Sequence, residues 1–373
     1  MTDPAVRPTY CTVDLGALTR NITAIENHVG PASQVMPVLK ADAYGHGLAL
    51  VVPHLEGLGV GRIAVAYVEE GIEARRLGFT GIVHVLGGAV ESQIGLFLDH
   101  DLTFTVPSID KLVQVATIAH QRGMKPAVHL KIDTGMERIG VHYQNAHAFF
   151  EQAYACDDLV VEGVFSHFAN ADSADLDDAR RQLERFVGAT DLLGDLAEPP
   201  IRHIANSGAI AQLPESHLDL VRPGVLTYGL YPSRETVRAL GVEPVLSWMS
   251  TVVYFKVVAA DSSVGYGSTW APSRQTRVVT LPVGYGDGYP RAASNSAEVL
   301  IRGTRYPVVG RVCMDQTMID IGDGTAYNGD QVVLVGSQGQ QSITVEDLAD
   351  RCGTIPYEIL TRITARVPRV GVG

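Results

Sequence analysis

The chain has 373 residues, 46% hydrophobic and 19% charged, enough apolar side chain to bury one large core or two unequal ones. Its 41 acidic against 29 basic residues give a formal charge of −12 at pH 7 without any Lys/Arg-rich run, which argues against nucleic acid and anionic membrane surfaces as partners. The first residues, Met1-Thr-Asp-Pro-Ala-Val-Arg-Pro8, lack the basic segment and apolar run of a secretory signal, and no stretch of about 18 apolar residues follows, so a soluble cytoplasmic protein is expected.

From Asp14 a helical pattern runs through Leu18, Ile22 and Ile25, after which short apolar strands alternate with helical stretches. Eight strand candidates centre on Val38-Leu39, Ile63-Val65, Val83-Val85, Phe104-Val106, His129-Lys131, Gly163-Phe165, His203-Ala205 and Leu218-Leu220. Helical segments such as 68–77, 108–122, 144–155 and 176–195 separate them. This rhythm predicts a (β/α)8 TIM-type barrel over residues 9–245. A doubly wound sheet is the alternative, but no Gly-x-Gly-x-x-Gly follows the first strand. After residue 245 the pattern changes to strands and glycine turns, with strand-like runs at 250–258, 277–281, 297–301, 308–321 and 331–335. One short helix, N-capped by Thr344 with Asp347 three residues on, precedes a last strand expected near 358–366. The expected second domain is β-rich and covers 246–373, with residues 1–8 as a candidate addition. Cys11, Cys156, Cys313 and Cys352 are scattered, without Cys-x-x-Cys or zinc-ligand spacing, so reduced thiols and no metal are expected.

Residues 35–47, Val-Met-Pro-Val-Leu-Lys-Ala-Asp-Ala-Tyr-Gly-His-Gly, form an apolar strand that ends on Lys40 and opens into a glycine-bounded turn. A poorly solvated ammonium there has a lowered pKa, and its free amine is nucleophilic toward an aldehyde cofactor, of which pyridoxal phosphate is the obvious one. Taken alone, the motif also suits a lysine reaching solvent through its apolar stem. Barrel enzymes carry their chemistry at the C-terminal ends of the strands. Those positions hold Lys40 and Tyr44, then Lys131, Asp133-Thr-Gly-Met136 and Arg138, then Ser166-His167-Phe168, Asn206-Ser207-Gly208 and Arg222-Pro-Gly224-Val225. The last two loops suit a phosphate, through Ser207 and the amides around Gly224, although Ser207 alone also suits a cap or turn.

With these motifs in place the chain resembles alanine racemase, of the fold-type-III pyridoxal phosphate enzymes. The likeness rests on Val38-Leu-Lys-Ala-Asp-Ala-Tyr-Gly-His-Gly47, His129-Leu-Lys-Ile-Asp-Thr-Gly-Met136, Ser166-His-Phe168, Ala205-Asn-Ser207, Val221-Arg-Pro-Gly224, Gly265-Tyr-Gly-Ser-Thr-Trp270 and Gly310-Arg-Val-Cys-Met-Asp-Gln316. It implies that Lys40 holds pyridoxal 5'-phosphate covalently and serves as one base, while Tyr266 from the β-domain of a partner subunit is the other. Racemisation removes a Cα proton from one face and returns one to the other, which two opposed bases achieve and one side chain does poorly. Tyrosine ordinarily titrates near pH 10. The resemblance supplies Tyr266 with a network matching His167, Arg222 and His203. Arg222 would face the pyridine nitrogen and, being unable to surrender its proton, would keep the carbanion short-lived.

By the same resemblance Arg138 pairs with the substrate carboxylate, and Lys131 matches a lysine that is carbamylated in many relatives. Tyr44, Ser207, Gly224, Val225 and Tyr357 match the phosphate holders, with Asn206 beside them. Tyr285 and Met314 match positions lining the substrate pocket. Glu137 stands where a small residue is common and Gly286 where alanine is, the former putting strict alanine specificity in question. The expected function is a homodimeric alanine racemase with shared active sites, supplying D-alanine for bacterial cell-wall peptidoglycan. A serine or broad-specificity racemase is the alternative. A decarboxylase of the same architecture is disfavoured by Arg222 and Gly265-Tyr-Gly267, and a cofactor-carrier protein by the β-domain.

Overall fold

β-Branched runs between amphipathic helices dictate the architecture of the first half of the chain. The computed structural model describes residues 7–194 and 200–373. These divide into two units: one comprises Leu18–Ala43 and Leu48–Glu243, the other the described residues up to Ala17 together with Tyr44–Gly47 and Pro244–Gly373.

In the first unit Gln34–Val35, Arg62–Val65, Ile82–Val85, Phe104–Val106, Ala127–Asp133, Val160–Phe165, Ile201–His203 and Leu220–Val221 run parallel and in ring order. Ladders join most neighbours, and single bridges Val38↔Ala64 and His84↔Thr103 join two more pairs. The ring closes where Leu220–Val221 pairs Gln34–Val35 and where Asp219 N–H and Arg222 N–H donate to the carbonyls of Arg202 and Ala205. The expected (β/α)8 barrel is therefore present. Its helices are amphipathic in the usual way. Ile109–Arg122 buries Leu112, Val115 and Ala119 on one stripe, is capped by Ser108 Oγ accepting from Lys111 N–H at 3.2 Å, and stops at Gly123, whose φ of 63° relieves the last turn.

The second unit is a ten-stranded sheet, largely antiparallel. Tyr254–Val258 lies at one edge and Arg369–Val372 at the other end of the path. Trp248 and Tyr289, both fully buried, pack edge to face at 5.7 Å beneath it.

Four expectations change, the first being the run 250–258, which is two strands, Leu246–Thr251 and Tyr254–Val258. The barrel was placed from residue 9, but Tyr10–Asp14 pairs antiparallel with Leu246–Thr251 and parallel with Arg369–Val372, so it belongs to the β-rich unit. Its alternating pattern is that of a sheet strand anywhere, and only pairing decides the owner. The strand expected near 358–366 is a helix, Pro356–Thr361, which proline at its first turn initiates. The last strand is Arg369–Val372. The run 308–321 is two strands, Thr304–Val309 and Thr317–Gly322, broken after Gly310 with φ 69°.

Gly45 has φ 80°, and a Cβ there would run into the Leu360 carbonyl. Gly45→Ala should therefore cost about 2–3 kcal/mol through strain and overpacking. Chemical denaturation checks this, and an unchanged midpoint would contradict the packing described.

Candidate active site

Lys40 follows Leu39, whose N–H donates to Ala64 carbonyl at 2.7 Å, so the lysine leaves the barrel on a fixed trajectory. Ala41, Asp42, Ala43 and Tyr44 then take φ values of 54°, 55°, 54° and 53°, one turn of left-handed helix built from non-glycine residues. Each such residue costs roughly 1–2 kcal/mol, so the turn needs external support. Glu70, in the first turn of helix Val68–Arg76, accepts from Ala41 N–H at 2.6 Å, Ala66 N–H at 2.7 Å and Tyr67 N–H at 3.2 Å. Asp42 accepts from Leu48 N–H at 2.7 Å. Glu70 was not among the predicted site residues. Its only sequence signal is a carboxylate at the third position of a helix, which ordinarily means a cap. Removal from water lowers the Lys40 pKa, Arg138 and Arg222 lower it further, and Glu70 opposes them.

Arg222 is 3% exposed and is fixed through both terminal nitrogens. Nη1 donates to His203 Nδ1 at 2.6 Å. Nη2 donates to the carbonyls of Ser166 and Ile204 at 2.8 and 3.1 Å and to His167 Nδ1 at 3.2 Å. Asp219, three residues before Arg222, pairs with Arg202 at 3.4 Å. Burial lowers the Arg222 pKa to about 9, which leaves it cationic at neutral pH. Burial, followed by the Arg222 charge, holds His167 and His203 well below the ordinary histidine range, so both are neutral. Phe165 stacks on His203 at 4.8 Å and presents its ring to Arg222 and Lys131, 5.4 and 5.0 Å away.

Lys131 donates to the Ile132 carbonyl at 3.1 Å, and burial, reinforced by Arg222, pushes its pKa down to about 7. The loop leading to Arg138 is wrapped around Asp133. One carboxylate oxygen accepts from the amides of Gly135, Met136 and Glu137 at 2.8, 3.1 and 3.2 Å, and the other from Arg138 N–H at 3.2 Å. Burial raises the Asp133 pKa, but these bonds outweigh it and the net direction is down. Glu137 has φ 52°, the conformation that favours the small residue expected there.

Asn206 caps helix Ser207–Gln212 by accepting from Ala209 N–H at 3.1 Å, which gives this predicted cofactor residue a structural partner. Ser207 Oγ accepts from Gly224 N–H at 2.9 Å and Leu226 N–H at 3.3 Å, leaving its own proton to donate. Gly224 thus acts through Ser207 rather than through an open amide. Val225 follows it, fully buried.

Lys40, Lys131, Phe165, Arg138, His167 and Arg222 line one cavity of 410 Å³. Four of the six are cations, and among the described residues no carboxylate lines the space. Such a cavity suits a ligand with several negative charges. Tyr44, Tyr266, Tyr285, Met314 and Tyr357 lie in the β-rich unit. There Tyr44 and Tyr357 have ring centroids 5.9 Å apart. The Tyr285 turn meets the Met314 segment, with Tyr285 N–H on Cys313 carbonyl at 3.0 Å and Gly286 N–H on Met314 carbonyl at 2.8 Å. Buried Asp287 ties that turn down, accepting from Gly284 N–H at 3.0 Å and pairing with Arg366 at 3.2 Å. Tyr266 stands apart on a one-turn helix after Gly265, 72% exposed.

The family model for the alanine racemase N-terminal domain matches residues 13–232, and that for the C-terminal domain matches residues 245–371. The chain is 41% identical to the alanine racemase of Halothermothrix orenii over 365 residues, covering 97% of this chain and 96% of the relative. The solved structure of alanine racemase from Clostridium difficile 630 superposes with a TM-score of 0.93 at 34% identity, covering 100% of this chain and 96% of that one. The alanine racemase of D-cycloserine-producing Streptomyces lavendulae gives 0.94 at 34% identity, with 100% and 98% covered.

Glu70 raises the Lys40 pKa while bonding the turn that carries it. Glu70→Gln should move the pH midpoint of amine-directed labelling of Lys40, in cofactor-free protein, to lower pH. Losing the charged acceptor should also cost about 1–3 kcal/mol of stability. A midpoint unchanged or moved upward would contradict the electrostatics.

Proposed function

The chain belongs to the alanine racemase family, and from that premise we propose that it interconverts L- and D-alanine with pyridoxal 5'-phosphate held covalently by Lys40. The observation that carries this reading is the cavity in which Lys40 shares a wall with Lys131, Arg138 and Arg222 and meets no carboxylate. Arg222 fits the cofactor's ring nitrogen, and Arg138 its phenolic oxygen and the substrate carboxylate. The relatives named above are all alanine racemases, which favours alanine over serine or a broad substrate range.

When bound, the cofactor supplies a ring that delocalises the electron pair left at the substrate Cα. Lys40, its pKa already lowered, takes or returns the proton on one face. Tyr266 of a partner subunit serves the other face. Arg222 offers the ring nitrogen an N–H that it does not surrender, so the ring remains a modest electron sink and reprotonation is fast. Arg138 orients the substrate carboxylate. Ser207 Oγ–H, Val225, Tyr44 and Tyr357 hold the phosphate, with Gly224 and Asn206 fixing the loops. Tyr285 and Met314 restrict the pocket to small side chains.

A homodimer follows from the same reading. The edge strand Tyr254–Val258 exposes Tyr254, Phe255 and Val257 at 57%, 39% and 51%, and Tyr266 is more exposed still. Such an apolar edge is a liability unless covered, and a second copy covers it while delivering Tyr266. No described helix is long and apolar enough to cross a membrane, in keeping with a cytoplasmic source of D-alanine for peptidoglycan. Lys131, with a pKa of about 7, is partly neutral at physiological pH. Its amine would add to carbon dioxide, forming a C–N bond and releasing a proton, and the carbamate would orient Arg138.

Chiral chromatography of the cofactor-loaded protein with L-alanine, L-serine and L-lysine tests the function; D-alanine should form well ahead of the others, and alanine remaining L would refute it. Lys40→Ala should lose the covalent cofactor and its absorbance. In Tyr266→Phe, exchange of the Cα proton with deuterated solvent should slow about 10²–10⁴-fold for one enantiomer while persisting for the other. Equal exchange for both would remove Tyr266 from its role. Protein under labelled carbon dioxide should show a carbamate carbon resonance that Lys131→Ala lacks.

A further inference from the structure

A chain of hydrogen bonds leads away from Arg222 through residues that do not line the cavity. His203 accepts from the guanidinium at Nδ1, 2.6 Å away, and its Nε2 lies 2.7 Å from His129 Nδ1. His129 Nε2 lies 3.1 Å from Glu162 Oε2, and the other Glu162 oxygen is 3.4 Å from Arg62. A guanidinium only donates and a carboxylate only accepts. His203 must therefore carry its proton on Nε2 and give it to His129 Nδ1, and His129 must carry its own on Nε2 and give it to Glu162. Every proton in the chain is fixed by its two ends.

The chain meets an electrostatic need. Arg222 is almost fully buried, and among the described residues no carboxylate lies within ion-pair distance of it. A buried charge without compensation is costly. Glu162 supplies the counter-charge through two polarised imidazoles, in the way a carboxylate behind a histidine strengthens that histidine's free nitrogen as an acceptor. The other ionisable groups packed here are Arg62, His84, Lys131 and His167; Arg62 pairs with the second Glu162 oxygen and shares that charge, and the other three take none of these bonds. His84 directs Nε2 at Thr105 Oγ1, 3.0 Å away, whose own proton goes to the Val85 carbonyl. Burial holds His84, His129 and His203 below the ordinary histidine range, matching the neutral forms required. Gly163 is the site's accommodation, since a Cβ there would meet the His129 ring. The three histidines could hold a metal by spacing alone. Both nitrogens of His129 and of His203 are already bonded, His84 keeps one buried nitrogen, Nδ1, without a partner, and the adjacent guanidinium would repel a cation.

We propose that Glu162 is a remote positioning residue, which acts through His129 and His203 to hold the Arg222 guanidinium in its charge state and orientation at the base of the cavity. The consequence for catalysis rests on the proposed racemase reading, in which Arg222 meets the cofactor ring. The chain of bonds does not.

The test uses the cofactor-loaded protein and Glu162→Gln, which keeps size and an acceptor but removes the charge at a partly exposed site. In ¹⁵N-histidine spectra the wild type should show His129 and His203 as Nε2–H tautomers, and the variant should shift His203 Nδ1 as well as His129. Its cofactor absorbance maximum should move, and kcat for alanine should fall about 10-fold with KM within about twofold, the low end of the loss found for outer-shell partners because two imidazoles intervene. Glu162→Asp, which keeps the charge, should recover most of the loss. Unchanged His203 resonances in Glu162→Gln would overturn the proposal, as would a fall in kcat without a change in them. If the wild type does not racemise alanine while His203 still responds to Glu162→Gln, the chain of bonds stands and the racemase reading falls.

Discussion

A guanidinium buried at the base of a cavity, with carbonyls and neutral imidazoles around it instead of a carboxylate, is the constraint on which the rest of this site depends. Arg222 sets the state of its neighbours. Its charge adds to burial in keeping His167 and His203 neutral and in bringing Lys131 to a pKa of about 7, and it contributes to the lowered pKa of Lys40. A carboxylate in contact with Arg222 would neutralise that field and return those groups toward their usual values. Burial is the larger cause for each of these groups, and the Arg222 charge at the end of its barrel strand reinforces it.

The loops around that charge are held by carboxylates that are not among the residues lining the cavity. Glu70 gathers three amides beneath the left-handed turn after Lys40, and Asp133 gathers four along the loop to Arg138. Glu162 stands behind the histidines. Each anion sits one layer outside a cation, so the attractions that order the site do not enter the space where an anionic ligand would bind.

Much of the barrel is legible in the sequence because parallel strands buried on both faces read as short apolar runs, and their rhythm with helices counts them. Lys40, Lys131 and Arg222 stand out because charges at the ends of such runs need a reason. Other features are set by long-range pairing. Tyr10–Asp14 alternates like any strand, and its partners lie more than 200 residues away, at Leu246–Thr251 and Arg369–Val372. Pro356–Thr361 has strand-like residues, and the proline in its first turn is what starts it as a helix. Glu70 and Glu162 look like ordinary helix-cap and strand-surface carboxylates until the three-dimensional neighbours are known. Glu137 shows the converse: its departure from the small residue common at that position is visible in sequence, and the positive φ supplies the reason.

The central claim is that Arg222 stays a cation and offers the bound cofactor a donor it never gives up. The most direct measurement is the ¹⁵N chemical shift of the ring nitrogen of labelled pyridoxal phosphate in the loaded protein. A shift typical of an unprotonated, hydrogen-bonded pyridine, unchanging across the neutral pH range, is the predicted result. A pyridinium shift would mean that a proton has passed to the ring, and would contradict the role given to Arg222.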